Sequence, residues 1–263
     1  MKGITRDCIV EMFDRKTIYI FLVVTGITIL ITLFTPRPNI EIQMSGNAEM
    51  DTMVNWLHNP ATKALSIFLS FMVFLTVLAT AGLIPNMLGK GRADFFLSRP
   101  ISRSALLINK ITGIWVVYGS TLVLCGIVSY AVMLVVGGTF DGKVIYLFAL
   151  NLISFLIWLS ITSTAGIISG SGSLSIMTAL MVWAAQAILV WHQQIKDLID
   201  SRIFGYALDI TYYIVPKTGE INNLTDSLAL GKTVESWMPL YSSLIFSIVI
   251  VFFAVVVFKR KNY

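Results

Sequence analysis

Few residues in this chain have the type and spacing to do chemistry. Gly231-Lys232-Thr233 matches the end of a phosphate-binding loop, G-x-x-x-x-G-K-[ST], but Asp226 stands where the first glycine is required. Without that glycine the backbone cannot wrap a phosphate, so the match is a chance one and the chain is not expected to hydrolyse ATP alone. The two histidines, His58 and His192, stand without clustered cysteine or acid, which argues against a metal site. Cys8 lies in a charged N-terminal segment and Cys125 inside an apolar run, so neither a disulfide nor a zinc framework is expected. What remains is a handful of polar side chains in apolar surroundings: Asn151, Gln186 and the cluster Ser160, Thr162, Ser163, Thr164. Serine and threonine in such places usually bond to a carbonyl of their own helix. An amide facing hydrocarbon is costly, so Gln186 should face another helix or a path through the protein. Gln186, Asn151 and Thr162 are the candidates to line such a path.

The elements that hold these residues follow from composition. Of the 263 residues, 56% are hydrophobic and 13% charged, and the mean hydropathy is +0.82. Soluble domains carry about 25% charged residues. The charge here cannot coat a globule of this size, which excludes a soluble enzyme, a nucleic-acid-binding domain and a disordered chain. Six stretches are long and apolar enough to cross a bilayer: 17–35, 64–84, 111–136, 144–169, 174–192 and 240–258. Their backbone must be helical, because lipid offers no hydrogen-bond partners. Gly166-x-x-x-Gly170, at the end of the fourth stretch, lets that helix pack closely on the fifth. The expected fold is an all-α integral membrane protein with a single transmembrane domain over 1–263. The N-terminal segment mixes both signs of charge without a small-residue cleavage site, so it reads as mature chain and not as a signal peptide.

Six spans place both termini on one side, and the charges choose which. Twelve Lys and Arg accompany the termini and seven lie opposite; the acidic residues divide four to ten the other way. The positive-inside rule therefore puts both termini in the cytoplasm. The formal charge of +5 reflects this sidedness and needs no nucleic-acid partner. No span carries Asp, Glu, Lys, Arg or His in its interior. A Ser-His-Asp set or a carboxylate pair cannot be assembled within the bilayer, so no enzyme is expected.

Three segments outside the spans carry a pattern. In 2–16, Ile4, Cys8, Ile9, Met12 and Phe13 follow helical spacing, with Arg6, Asp7, Asp14 and Arg15 largely off that face. This predicts an amphipathic helix on the inner membrane surface. The cytoplasmic loop 86–110 is basic, with five cations and one acid. A short helix over 93–98 exposes Phe95, Phe96 and Leu97. Pro100 breaks it, and Ser102 fits the N-cap of a helix running through Lys110 into the third span. The external segment 193–239 places Ile195, Leu198, Ile199, Ile203 and Tyr206 at helical spacing, with Tyr212, Tyr213 and Pro216 marking an end.

The stretch 95–113, FFLSRPISRSALLINKITG, resembles the cytoplasmic signature of type-2 ATP-binding-cassette (ABC) transporter permeases. In that family a Leu-Ser-[Arg/Lys]-Pro-[Ile/Val]-Ser-Arg segment follows the second span, and a helix ending in Lys-x-x-Gly, here Lys110 and Gly113, enters the third. The resemblance covers the whole chain in topology and about 20 residues in sequence. It implies a permease subunit, without chemistry of its own, in the plasma (inner) membrane of a prokaryote. Two copies, or one copy and a related permease, would form an export path. Two cytoplasmic ATPase subunits, carrying the ATP and Mg, would dock on a coupling helix built from Phe95, Phe96, Leu97, Arg99, Pro100, Ile101, Ser102 and Arg103. The competing reading is a gradient-driven carrier or channel that works without an ATPase. Against it, the spans lack the buried ionisable groups such carriers use.

Overall fold

The computed structural model describes residues 2–34, 60–88, 102–135, 142–189, 211–212, 215–229, 233–234 and 236–260. Among them every regular element is helical: α1 (Lys2–Asp14), α2 (Thr17–Phe34), α3 (Pro60–Thr80), α4 (Leu83–Met87), α5 (Arg103–Val135), α6 (Val144–Ser169), α7 (Gly172–Leu189), α8 (Thr218–Ala229) and α9 (Met238–Arg260). Four are long and apolar enough to cross a membrane: α3 with α4 taken as Thr62–Met87, α5, α6 and α9. The pair α1 and α2, bent by 68°, makes a fifth if it counts as one span. The apolar stretch of α7, Gly172–Gln186, is shorter. The described residues are thus all-helical, with four to five helices of the length and apolarity of membrane spans.

Helix α6 occupies the centre. It touches α3, α4, α5, α7, α8 and α9, and its bounds are those expected from the sequence. Three of its polar residues are settled within the bundle. Thr162 and Thr164 donate to carbonyls of their own helix, at 3.1 Å to Trp158 O and 2.7 Å to Ser160 O. Ser160 shares a 2.6 Å hydrogen bond with Ser247 on α9. By contrast α2 sits at the edge, and residues such as Leu22, Ile27 and Ile31 face outward. Thr25, Thr28 and Thr32 each donate to the carbonyl four residues back, so these hydroxyls need no partner on another helix.

Three differences from the sequence reading have physical causes. The second span was expected as one helix over 64–84. It starts earlier, at Pro60, and breaks at Ala81-Gly82 before continuing as α4. Pro85 explains the break: a helical proline clashes with the carbonyl four residues before it, here that of Ala81. The broken strand of chain is then packed tightly. A Cβ on Gly166 would lie 2.7 Å from Pro85 Cγ and 2.9 Å from Ser175 Oγ. Gly170 closes α6 at φ +68°, with its N–H bonded to Gly166 O at 2.8 Å. The close α6–α7 packing expected from this glycine pair is therefore present, with Pro85 as a third party to it.

The second difference is Lys110, expected among the cations of a cytoplasmic loop. It lies inside α5 and is only 2% exposed. Its Nζ donates to Asp7 Oδ2 at 2.7 Å and to Glu11 Oε2 at 3.1 Å, both on α1. Arg15 completes the group with a 3.2 Å bond to Glu11. The third concerns α1 itself. Lys16, in the left-handed region at φ +57°, ends α1 and turns the chain into α2. Cys8 and Met12 are buried, while Ile9, Val10 and Phe13 point outward. The expected apolar face is split between the protein and its surroundings. Helix α5 begins where the sequence placed it: Ser102 Oγ accepts the N–H of Ala105 at 3.3 Å.

Two outcomes follow. Asp7→Asn combined with Glu11→Gln strands a buried ammonium; the cost is about 3–5 kcal/mol, read as a lowered thermal midpoint in detergent and proteolytic release of α1. Gly166→Ala drives a methyl into the Pro85 ring and costs about 1–3 kcal/mol. An unchanged midpoint for Gly166→Ala would show that α4 yields freely.

Candidate functional site

Helices α3, α6 and α7 each turn one stripe of side chains toward a shared space. On α6 the stripe is Asn151, Ser154 and Trp158; on α7 it is Ala179, Trp183 and Gln186; α3 supplies Ser70, Phe74 and Val77. Intervals of three, four and seven residues put each set on one helix face. The space between them is a cavity of about 220 Å³. Its fourth wall is Tyr212, residues 215–220 and Asn222, which include the start of α8.

Sequence reasoning did not find α8. Glu220, Asn222, Asn223, Asp226 and Ser227 give it the composition of a loop. The signal was nevertheless there: Ile221, Leu224, Thr225 and Leu228 recur at helical intervals, and the first three are buried. Asp226, the residue that spoils the phosphate-loop match, pairs with Lys63 and accepts a hydrogen bond from Ser66, both on α3. That link fastens α8 across the bundle.

Polar groups at the cavity fall into two sets. Those on Tyr212, Lys217 and Glu220 are satisfied. Tyr212 donates to Glu220 Oε1 at 2.6 Å. The Lys217 ammonium sits 3.8 Å from the centroid of the Tyr212 ring, an energetically favourable cation–π distance, and its Nζ lies 3.2 Å from Met238 Sδ. The Lys217 backbone N–H donates to Ser243 Oγ at 2.9 Å. Burial pulls the Lys217 ammonium below the ordinary lysine range, and the nearby Glu220 carboxylate opposes that shift. The sequence reading had counted Lys217 only as an external cation.

The other set is not satisfied. Asn151 Nδ2 donates to Leu147 O at 2.8 Å, but Asn151 Oδ1 has no partner among the described residues. Ser154 Oγ and Gln186 Nε2 are in the same position. Gln186 Oε1 accepts from Thr218 Oγ1 at 2.5 Å. Asn151, Ser154 and Gln186 are 2%, 3% and 9% exposed. A buried polar atom without a partner costs about 1–3 kcal/mol, so three such atoms on one cavity mark a surface built to meet something.

Of the residues singled out from sequence for a path, Gln186 and Asn151 face this cavity. Thr162 does not line it; it lies further along α6, back-bonded to Trp158 O and Leu159 O. Phe95, Phe96, Leu97, Arg99, Pro100 and Ile101 lie outside the described residues, as do His58, His192 and 193–210. Ser102 caps α5 and Arg103 begins it.

No protein-family model matches this chain, and no curated protein matches it significantly. The site has to be read from its own geometry. Thr218→Val removes the hydroxyl that satisfies Gln186 and leaves both ends of that amide without a partner. The expected cost is about 1–3 kcal/mol, measured by thermal or denaturant unfolding. Adding Gln186→Leu to that variant should restore most of it, because the double change removes both polar partners.

Proposed function

We propose that this chain is the membrane-spanning permease subunit of an ABC transporter, working in export with separate cytoplasmic ATPase subunits. Its six spans would be the helices α2, α3–α4, α5, α6, α7 and α9, with both termini cytoplasmic in the plasma membrane of a prokaryote. Helix α1 would lie along the inner surface, where Ile9, Val10 and Phe13 would meet lipid. The export path would form with a second permease copy or a related permease, and ATP and Mg would be held by a pair of ATPases.

One observation carries the reading. The stretch that resembles the family signature leads directly into α5, an unbroken helix of 33 residues capped by Ser102. At 1.5 Å per residue such a helix is about 50 Å long, well beyond a hydrocarbon core of about 30 Å. On this reading its first two turns would stand outside the membrane, where the Lys110 ion cluster ties them to α1. A push on the segment before Ser102 would reach the bundle through a rigid rod and not through a slack loop. That is the property a docking knob for an ATPase needs.

The test is co-purification with an ATPase and ATP-dependent turnover in liposomes. Phe96→Ala, or Pro100→Ala with its loss of the break, is expected to weaken docking by about 2 kcal/mol, roughly thirtyfold in affinity, while membrane insertion is kept. Arg99→Ala should do less if that side chain only reaches headgroups. Transport in liposomes without ATP and without a bound ATPase would replace this reading with the gradient-driven carrier. Wild-type docking in both Phe95→Ala and Phe96→Ala would move the contact elsewhere on the cytoplasmic face.

A further inference from the structure

We propose that the cavity between α3, α6 and α7 is a binding site for a small neutral amphiphile that carries a secondary amide. The unsatisfied atoms define the polar part of the ligand. Asn151 Oδ1 is an acceptor in need of a donor, and its orientation is fixed because Nδ2 is already committed to Leu147 O. Gln186 keeps an amide nitrogen without a partner, and Ser154 a hydroxyl. A ligand N–H meeting Asn151 and a ligand carbonyl accepting from Gln186 and Ser154 would satisfy the three groups left open at this cavity. An ester or a hydrocarbon would leave the asparagine oxygen as it is.

The walls define the rest. Phe74, Trp158 and Trp183 supply aromatic surface, and Phe74 and Trp183 stand 6.3 Å apart at a tilt. The fourth wall carries one cation, Lys217, and one anion, Glu220, so its formal charge is zero, and each is held in place by Tyr212: Glu220 accepts from its hydroxyl and Lys217 rests on its ring. No uncompensated charge therefore calls for an ion, and the ligand is neutral. At about 220 Å³ the space exceeds the roughly 150 Å³ that accepts benzene and falls short of the roughly 300 Å³ at which drug-sized pockets begin. The occupant is a molecule, or one end of a molecule, of about ten non-hydrogen atoms. That this ligand is cargo rests on the permease reading; that it binds does not.

The experiment uses the full chain in phosphatidylcholine nanodiscs, with empty nanodiscs as the blank. The probe is radiolabelled N-benzylacetamide in equilibrium dialysis, competed by benzyl acetate, which has the same shape and lacks only the N–H. Saturable binding above the blank is expected, with the ester at least tenfold weaker. Asn151→Leu should lose at least tenfold for the amide, bind amide and ester alike, and keep or raise the thermal midpoint, because it deletes an unpaired buried oxygen. If Asn151→Leu does not fold, Gln186→Met serves in its place, with the same tenfold loss expected. No saturable binding, equal affinity for amide and ester in the wild type, or wild-type affinity in the folded variant overturns the proposal and leaves a merely hydrated cavity. A chain that binds the probe but recruits no ATPase sinks the permease reading alone. A chain that recruits an ATPase but ignores the probe sinks this one alone.

Discussion

A chain with so little charge must settle its polar groups against one another, because its surroundings will not do so. That constraint shapes α6 above all. The helix is enclosed by six others, and Ser160, Thr162 and Thr164 spend their hydroxyls on their own backbone or on α9. With those groups closed off, neighbouring helices can approach on small side chains alone. Gly166 shows the limit of that approach, where Pro85 and Ser175 leave no room for a methyl. The open valences of Asn151, Ser154 and Gln186 stand out because all three meet at one cavity.

The two ends of α6 differ accordingly. Its C-terminal end, at Gly166 and Gly170, is jammed against the proline break between α3 and α4 and the turn into α7. Its N-terminal half borders the cavity. The charged groups are also separated. Lys110, Asp7, Glu11 and Arg15 join α1 to α5, whereas Lys63 and Asp226 join α3 to α8 beside the cavity. Each ion group ties a short amphipathic helix to a long apolar one. Burial makes these ties costly to break from one side only.

Much of this was legible in the sequence, and the rest was hidden for identifiable reasons. Long apolar runs fixed α2, α5, α6 and α9, because length and hydropathy are local properties. The Ser102 cap was readable for the same reason. Gln186 and Asn151 stood out as amides in apolar surroundings, and both reached the cavity. Thr162 shared their polarity but satisfies itself within one turn, a choice that only coordinates reveal. Pro85 was visible, yet its effect falls four residues upstream, inside what reads as one apolar run. Lys110 looked like a loop cation because its two carboxylates lie about a hundred residues away, on α1. Helix α8 carries too many polar residues for composition to flag, since half of its surface meets helices that sequence order does not place beside it.

The threonines of α2 have a consequence for how this protein is able to change over generations. The hydroxyls of Thr25, Thr28 and Thr32 are each tied to their own helix, so the outward face dictates no partner and demands no particular residue. Leu22, Ile27 and Ile31 can drift among apolar types without disturbing the bundle behind them. Related chains should therefore spell this helix almost at random while keeping its oiliness. Inheritance will be strict only on the side that carries Phe21, whose ring meets Tyr118 edge-on at 6.4 Å.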